Sequence, residues 1–464
     1  MRACTASLLW SALVLGSSGA SGQSALSDPV RLKGAIAQAT DSFAETLASR
    51  AELSASDETL SLAKKTYLPS ADLYLQWNRA TRNNVFGLLF PGGPSGSVPS
   101  ISGPVLDEAT SQGTFGSVAA ALVRWEALDF GSRAAGVREA EALRRRAAAG
   151  MRMTELEVSL GTMDTFLGVA AADSAARAAA ATVARMEVFT EAISALVANE
   201  LRPGADLSLA RAELARARSE LIRAEGLREA ARVSLAEWLG RAGERVEVDP
   251  SELLESSPAS EGARTNESGV HPLAELGEAE RDAAHARRDF AASAHRPKLD
   301  LFGAVYGRGT GALVDGSFEG GSEGLWPERT NWALGLAVRF PLLDFATRQQ
   351  TNVREYLEQA AEARYEYAVD RVVSDLGRAR IHLDAARRIA ETTPVELEAA
   401  RALQVQARAR YDAGLAAILE VAEAERILRR AETEDAVARL DVWRARFEVA
   451  AAEGNLAPVL SELE

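Results

Sequence analysis

The chain has 464 residues, is 47% hydrophobic with only 6% aromatic residues, and carries a net charge of −14. That balance excludes a nucleic-acid partner, which needs concentrated basic surface. The single cysteine, Cys4, excludes a disulfide framework and thiol chemistry in the rest of the chain, and the abundance of Ala, Leu, Glu and Arg predicts long helices and coiled coils.

Residues 1–22 read as a secretory signal peptide: Arg2 supplies positive charge, Leu8 to Leu15 form a short apolar core, and small residues follow at Ala20-Ser21-Gly22. That run is too short to span a membrane as a helix, and no other run approaches the required length. An exported chain of this kind can enter a membrane only as a β-barrel, the other structure that satisfies its own backbone in lipid.

From about Pro29 to Thr66 the pattern is helical, and Pro69 stops it. A strand is predicted over about 67–80, where Leu73, Leu75 and Trp77 fall on one face and Asp72, Tyr74 and Gln76 on the other. A Gly-, Pro-, Ser- and Asn-rich loop follows, then a second strand over about 114–125. At Asp129 a long helical pattern begins, with the Asp placed to cap it. Pro203-Gly204 turns the chain, and a return helix runs to about Leu239 with a seam at Leu207, Ala210, Leu214, Ala217, Leu221 and Ala224. Residues 241–271 read as an irregular connector.

The pattern then starts again. A helix opens at Pro272, strands are predicted over about 298–307 and 330–340, and a helical hairpin over about 344–453 turns at Asp412-Ala413-Gly414, with Pro394 as an expected kink. The junction Arg124-Trp125-Glu126-Ala127-Leu128-Asp129-Phe130 has a near copy in Arg339-Phe340-Pro341-Leu342-Leu343-Asp344-Phe345. Residues 23–240 and 272–464 therefore read as two tandem copies of helix, strand pair and long helical hairpin. Four strands cannot close a barrel, since the smallest transmembrane barrels have about eight. Their unpaired edges are not tolerated in lipid, so several chains must contribute to one barrel.

Trp77, Trp125, Trp332 and Phe340 stand at or near strand ends, where they fit aromatic girdles at the membrane interfaces, or else ordinary core packing. Hairpins of similar length bring the two helix turns to one end, and Asp412 and Glu420 beside the second turn form rings of charge in a symmetric oligomer, or else are plain solvated carboxylates. His271, His285, His295 and His382 lack zinc-site spacing. There is no phosphate loop and no nucleophile turn, so neither an enzyme nor a cofactor is expected.

Phe340-Pro341-Leu342-Leu343-Asp344, the strand starts Tyr67-Leu68-Pro69-Ser70-Ala71 and His295-Arg296-Pro297-Lys298-Leu299, and the turn Tyr411-Asp412-Ala413-Gly414-Leu415 through Glu425 resemble the TolC-like outer-membrane efflux protein family. The resemblance implies a homotrimer with a twelve-stranded barrel in the outer membrane, continued by an α-helical barrel in the periplasm. It implies a passive exit duct for a tripartite efflux pump or a type I secretion system, partnered by a periplasmic adaptor (membrane fusion) protein and an inner-membrane pump of RND or ABC type. Adaptor docking is then expected at the tips, with Leu201, Arg202, Leu207, Tyr411 and Leu415 exposed around Pro203, Gly204 and Gly414. The first turn is about two residues shorter than the family pattern. A periplasmic coiled-coil scaffold without membrane insertion is the alternative reading.

Overall fold

The computed structural model describes residues 29–463 apart from 82, 84–103, 106, 256–269, 316, 319–320 and 343. The expected signal peptide lies outside the described residues. In chain order come α1 (Leu32–Ser42), α2 (Ala44–Lys65), β1 (Ser70–Ala80), β2 (Thr114–Leu128), α3 (Ser132–Ala198), α4 (Gly204–Trp238), α5 (Ser251–Glu255), α6 (Pro272–Ala292), β3 (Lys298–Thr310), β4 (Arg329–Arg339), α7 (Phe345–Asp412), α8 (Ile418–Ala452) and α9 (Ala457–Leu460).

Two long helices form the frame. At 67 and 68 residues, α3 and α7 are each about 100 Å long at 1.5 Å per residue. Each carries two shorter antiparallel helices placed end to end. Along α3, α2 lies beside the first half, where Ser49 meets Thr154 and Arg144 meets Asp57, and α4 lies beside the second, where Arg218 meets Glu187. Along α7, α6 comes first, through Arg288–Glu358, and α8 follows, through Thr393–Asp435 and Gln404–Glu425. The sequence seam of α4 faces α3: Ala210 and Ala217 are buried, and Leu207 and Leu214 pack against the same cluster.

The main core sits at the waist, where Leu32 and Ile36 of α1, Phe166 and Leu167 of α3, Leu235 of α4 and Trp443 and Phe447 of α8 converge. Two departures from the sequence expectation matter here. The first helical segment breaks at Phe43, whose extended backbone (φ −67°, ψ 137°) separates α1 from α2 and whose ring stacks on Trp238 at 4.9 Å. The connector is also partly ordered: Val30 bridges Val248, and α5 offers the Leu253 carbonyl to the Trp443 indole N–H at 3.1 Å. Pro394 lies inside α7 without ending it.

The four strands form one antiparallel sheet in the order β1-β2-β3-β4, with β1 and β4 as open edges. Register places Leu73, Ala121, Val305 and Trp332 on one rung, so all share a face. The same face carries Leu75, Trp77, Val123, Trp125, Leu334 and Leu336, and Leu334 is 80% exposed. The opposite face carries Tyr74, Gln76 and the pairs Asp72–Arg124 and Asp300–Arg339. At the end of the sheet remote from the helices, residues 323–327 fold back over the apolar face. Trp77 Nε1 donates to the Leu325 carbonyl at 3.0 Å, and a Cβ on Gly309 would fall 2.0 Å from the Trp326 oxygen. Glycine in β3 is what lets this segment lie flat on the sheet.

The two strand-to-helix junctions are capped differently. Asp344 is the N-cap of α7, accepting from Thr347 N at 2.9 Å. Asp129 is not the N-cap of α3. That position is Gly131 (φ 92°), preceded by Phe130 at φ 51°. Asp129 reaches forward over this left-handed step to accept from the N–H groups of Gly131 and Arg133 and from the Arg133 guanidinium. Burial pushes the Asp129 carboxyl up, but these donors outweigh it and hold it below the usual range; the Thr347 hydroxyl and N–H do the same for Asp344. A lowered folded pKa adds stability above the ordinary value near 3.8 that is lost as pH falls through the folded value. Wild-type protein should therefore lose more thermal stability between about pH 4 and pH 2 than the Asp129→Asn/Asp344→Asn double variant, as read by circular dichroism melts; equal losses would show that the caps carry no such linkage.

Candidate functional site

Tyr411, at the end of α7, lies level with Phe189 of α3, and the turn between α3 and α4 reaches back to it through Arg202. The first turn descends through Glu200 in the left-handed region (φ 61°) and restarts the chain at Pro203. The second needs Gly414 at φ 77°, whose N–H bonds back to the Tyr411 carbonyl at 2.9 Å.

Tyr411 joins the two turns. Its hydroxyl donates to Asp206 Oδ2 at 3.2 Å, its carbonyl accepts from Arg202 Nη2 at 2.5 Å, and the Arg202 guanidinium stacks over its ring at 4.7 Å. Phe189 meets the same ring edge-on at 5.2 Å. Burial, then the Asp206 carboxylate, raises the Tyr411 pKa, so the hydroxyl stays a donor at neutral pH. Beneath it lies a small apolar core of Met186, Ile193, Ala407, Ile418 and Val421.

The expected exposed tip is thus only partly exposed. Leu201 is 68% and Leu415 71% exposed, and Pro203, Gly204 and Gly414 are on the surface. Tyr411, expected outside, is 1% exposed because it is the plug between the hairpins. Leu207 is half-buried in the same cluster, and Arg202 is partly covered by its contact with Tyr411. Asp412 and Glu420 are exposed, and each has an arginine partner: Arg408 at 3.4 Å, itself stacked on Phe189, and Arg410 at 3.8 Å. Asp206 gave no sequence signal of a role, since its partner lies in the other hairpin.

At the sheet, Trp77 and Trp125 are about half exposed with their indole N–H groups bonded to the carbonyls of Leu325 and Tyr67. Trp332 and Phe340 are 78% and 63% exposed. His271 caps α6 through Nδ1 and reaches the Ala451 carbonyl through Nε2, while His285 and His382 meet Glu358 and Glu448. No helix among the described residues is long and apolar enough to cross a membrane.

The chain sets a four-stranded sheet, apolar on one face and polar on the other, on a bundle of helices roughly 100 Å long, a build that suits an outer-membrane protein with a periplasmic extension. The family model for the outer membrane efflux protein matches residues 36–241 and 275–455. Among solved structures, the Vibrio cholerae outer membrane protein VceC is similar at TM-score 0.68 and 16% identity, over 91% of this chain and 96% of that one. The Campylobacter jejuni CmeC outer membrane channel gives 0.71 and 14%, over 91% and 85%. The open-state Neisseria gonorrhoeae MtrE outer membrane channel gives 0.66 and 18%, over 92% and 89%. No curated protein sequence matches. The chain belongs to the outer membrane efflux protein family, and it resides in the outer membrane with a periplasmic extension.

Tyr411→Phe keeps the ring and deletes only the bond to Asp206. It should weaken the link between the turns by about 1–2 kcal/mol, read as about tenfold faster amide exchange across residues 199–206 and 411–418 with an unchanged global melting temperature. Unchanged exchange at both turns would mean the link holds nothing.

Proposed function

We propose that the protein is the outer-membrane exit duct of a tripartite efflux pump, passive and built from three copies. The carrying observation is the open sheet: eleven-residue edge strands β1 and β4 leave their outer N–H and C=O groups unpaired beside an exposed apolar face. Each unsatisfied group in hydrocarbon costs several kcal/mol. Pairing β4 of one copy with β1 of the next removes that cost, and three copies give a twelve-stranded barrel. The apolar face then meets lipid, with Trp77, Trp125, Trp332 and Phe340 as its aromatic contacts, and the polar face lines water.

The helices continue the barrel into the periplasm as a second tube. The tips, with Leu201 and Leu415 exposed beside Pro203, Gly204 and Gly414, are the surface for a periplasmic adaptor, which connects to an RND or ABC pump that supplies the energy. Asp412 and Glu420 edge the closed aperture; with Arg408 and Arg410 at hand their charge is compensated until the hairpins part. Opening is movement of the α7/α8 hairpin away from α3/α4, and breaking the Tyr411–Asp206 and Tyr411–Arg202 contacts is its first step. A type I secretion system uses the same duct geometry and differs in the pump.

Extracted without heating from an outer-membrane fraction, the protein should migrate as an SDS-resistant trimer that collapses to monomer on boiling. Leu334→Arg with Leu336→Arg places two charges on the lipid face, each costing about 2–4 kcal/mol near mid-membrane, and should abolish the trimer band. Recovery of wild-type monomer in the soluble periplasm would instead favour a scaffold.

A further inference from the structure

About three helical turns above the second tip, at the height of Glu425 and Gln404, one level of the Ala-rich bundle is polar across all four helices and charged on three of them. Glu425 of α8 is 4% exposed; its Oε2 accepts from Arg185 Nε of α3 at 2.7 Å, and its Oε1 accepts from Gln404 Nε2 of α7 at 2.7 Å. Arg185 also donates through Nη2 to Thr182 Oγ1 at 3.2 Å. Arg429 of α8 reaches Glu220 of α4 at 3.3 Å. Apolar packing resumes on both sides, with Phe189 and Val421 toward the tips and Leu397 and Leu428 above.

One acceptor in this belt is unfilled. Glu432, seven residues beyond Glu425 on α8, points at the same arginine: its Oε2 lies 3.6 Å from Arg185 Nη2, is buried, and accepts no hydrogen bond. A charge-assisted bond closes at about 2.7–2.9 Å, so a slide of roughly 1 Å completes it. Arg185 is only partly exposed, and had it merely lost Glu425 its guanidinium would be left without a carboxylate partner, which is unfavourable. A second carboxylate already in place removes that obstacle. Glu425 keeps Gln404, which belongs to the same hairpin and travels with it.

We propose that Arg185 is a two-position latch between the hairpins: it holds α8 through Glu425 when the tips are together and passes to Glu432 when the α7/α8 hairpin moves. This rests on the duct reading above, but on residues remote from the tip contacts. Packed elements move between discrete arrangements rather than continuously, and paired acceptors for one guanidinium provide two such arrangements, in each of which the guanidinium keeps a carboxylate and Glu425 keeps the Gln404 amide.

The two carboxylates predict opposite effects, which a merely structural role does not. Spin labels at Leu201→Cys and Leu415→Cys, in detergent-solubilised trimers diluted with unlabelled chain, report the distance between the tips. In a Tyr411→Phe background, which loosens the tip link, Glu425→Gln should raise the ratio of wide to narrow distances about tenfold, and Glu432→Gln should lower it about tenfold. Arg185→Gln removes the guanidinium that moves between the two carboxylates and should make the Glu425→Gln and Glu432→Gln effects vanish. Shifts in the same direction, or none, overturn the latch. Labelled wild-type protein that is not trimeric overturns the duct reading itself, so the two failures are separable.

Discussion

A strand edge leaves half its backbone hydrogen-bonding groups without partners, and lipid offers none. That constraint governs the molecule. A chain with two short strand pairs can meet it only by borrowing edges from its neighbours, and in the proposed trimer every edge is borrowed once. In that proposed trimer the long helices continue the same ring, and Asp344 and the Asp129–Arg133 pair tie down the backbone where each strand pair hands over to a helix. The sheet has no core of its own; the hydrophobic cores lie at the waist and the tips, among helices.

Much of this was legible from local pattern. Period-two alternation in Leu73-Tyr74-Leu75-Gln76-Trp77 and in Trp332 to Phe340 put the apolar residues on one face because β geometry leaves no other choice. Pro203-Gly204 and Ala413-Gly414 marked turns because they break helices for steric reasons. The Asp344 cap was readable, whereas the cap at Asp129 was misplaced by two residues because a left-handed Phe130-Gly131 step has no reliable sequence signature. The break at Phe43 was invisible for a different reason: it is set by the Trp238 ring, far along the chain.

The site was less legible than the fold. Tyr411 beside a glycine turn reads as a surface residue, and only the other hairpin, through Phe189, Arg202 and Asp206, buries it. Arg185 and Glu425 lie in different halves of the sequence on helices full of similar charges. Nothing local distinguishes a carboxylate aimed into a bundle from one aimed at water, because both sit on helices whose seams are alanine. Burial of these groups is a property of helix neighbours, which composition does not specify.

The matched dimensions of the halves carry a further consequence. Helices α3 and α7 have 67 and 68 residues, and α4 and α8 have 35 each. Tyr411 meets Arg202 only while the two hairpins keep their present relative lengths. A deletion of one heptad in a single hairpin withdraws one tip by about 10 Å and parts them, whereas the same deletion in both keeps Tyr411 against Arg202. In the proposed duct, length can therefore change only through paired insertions or deletions, and the two halves must carry it jointly.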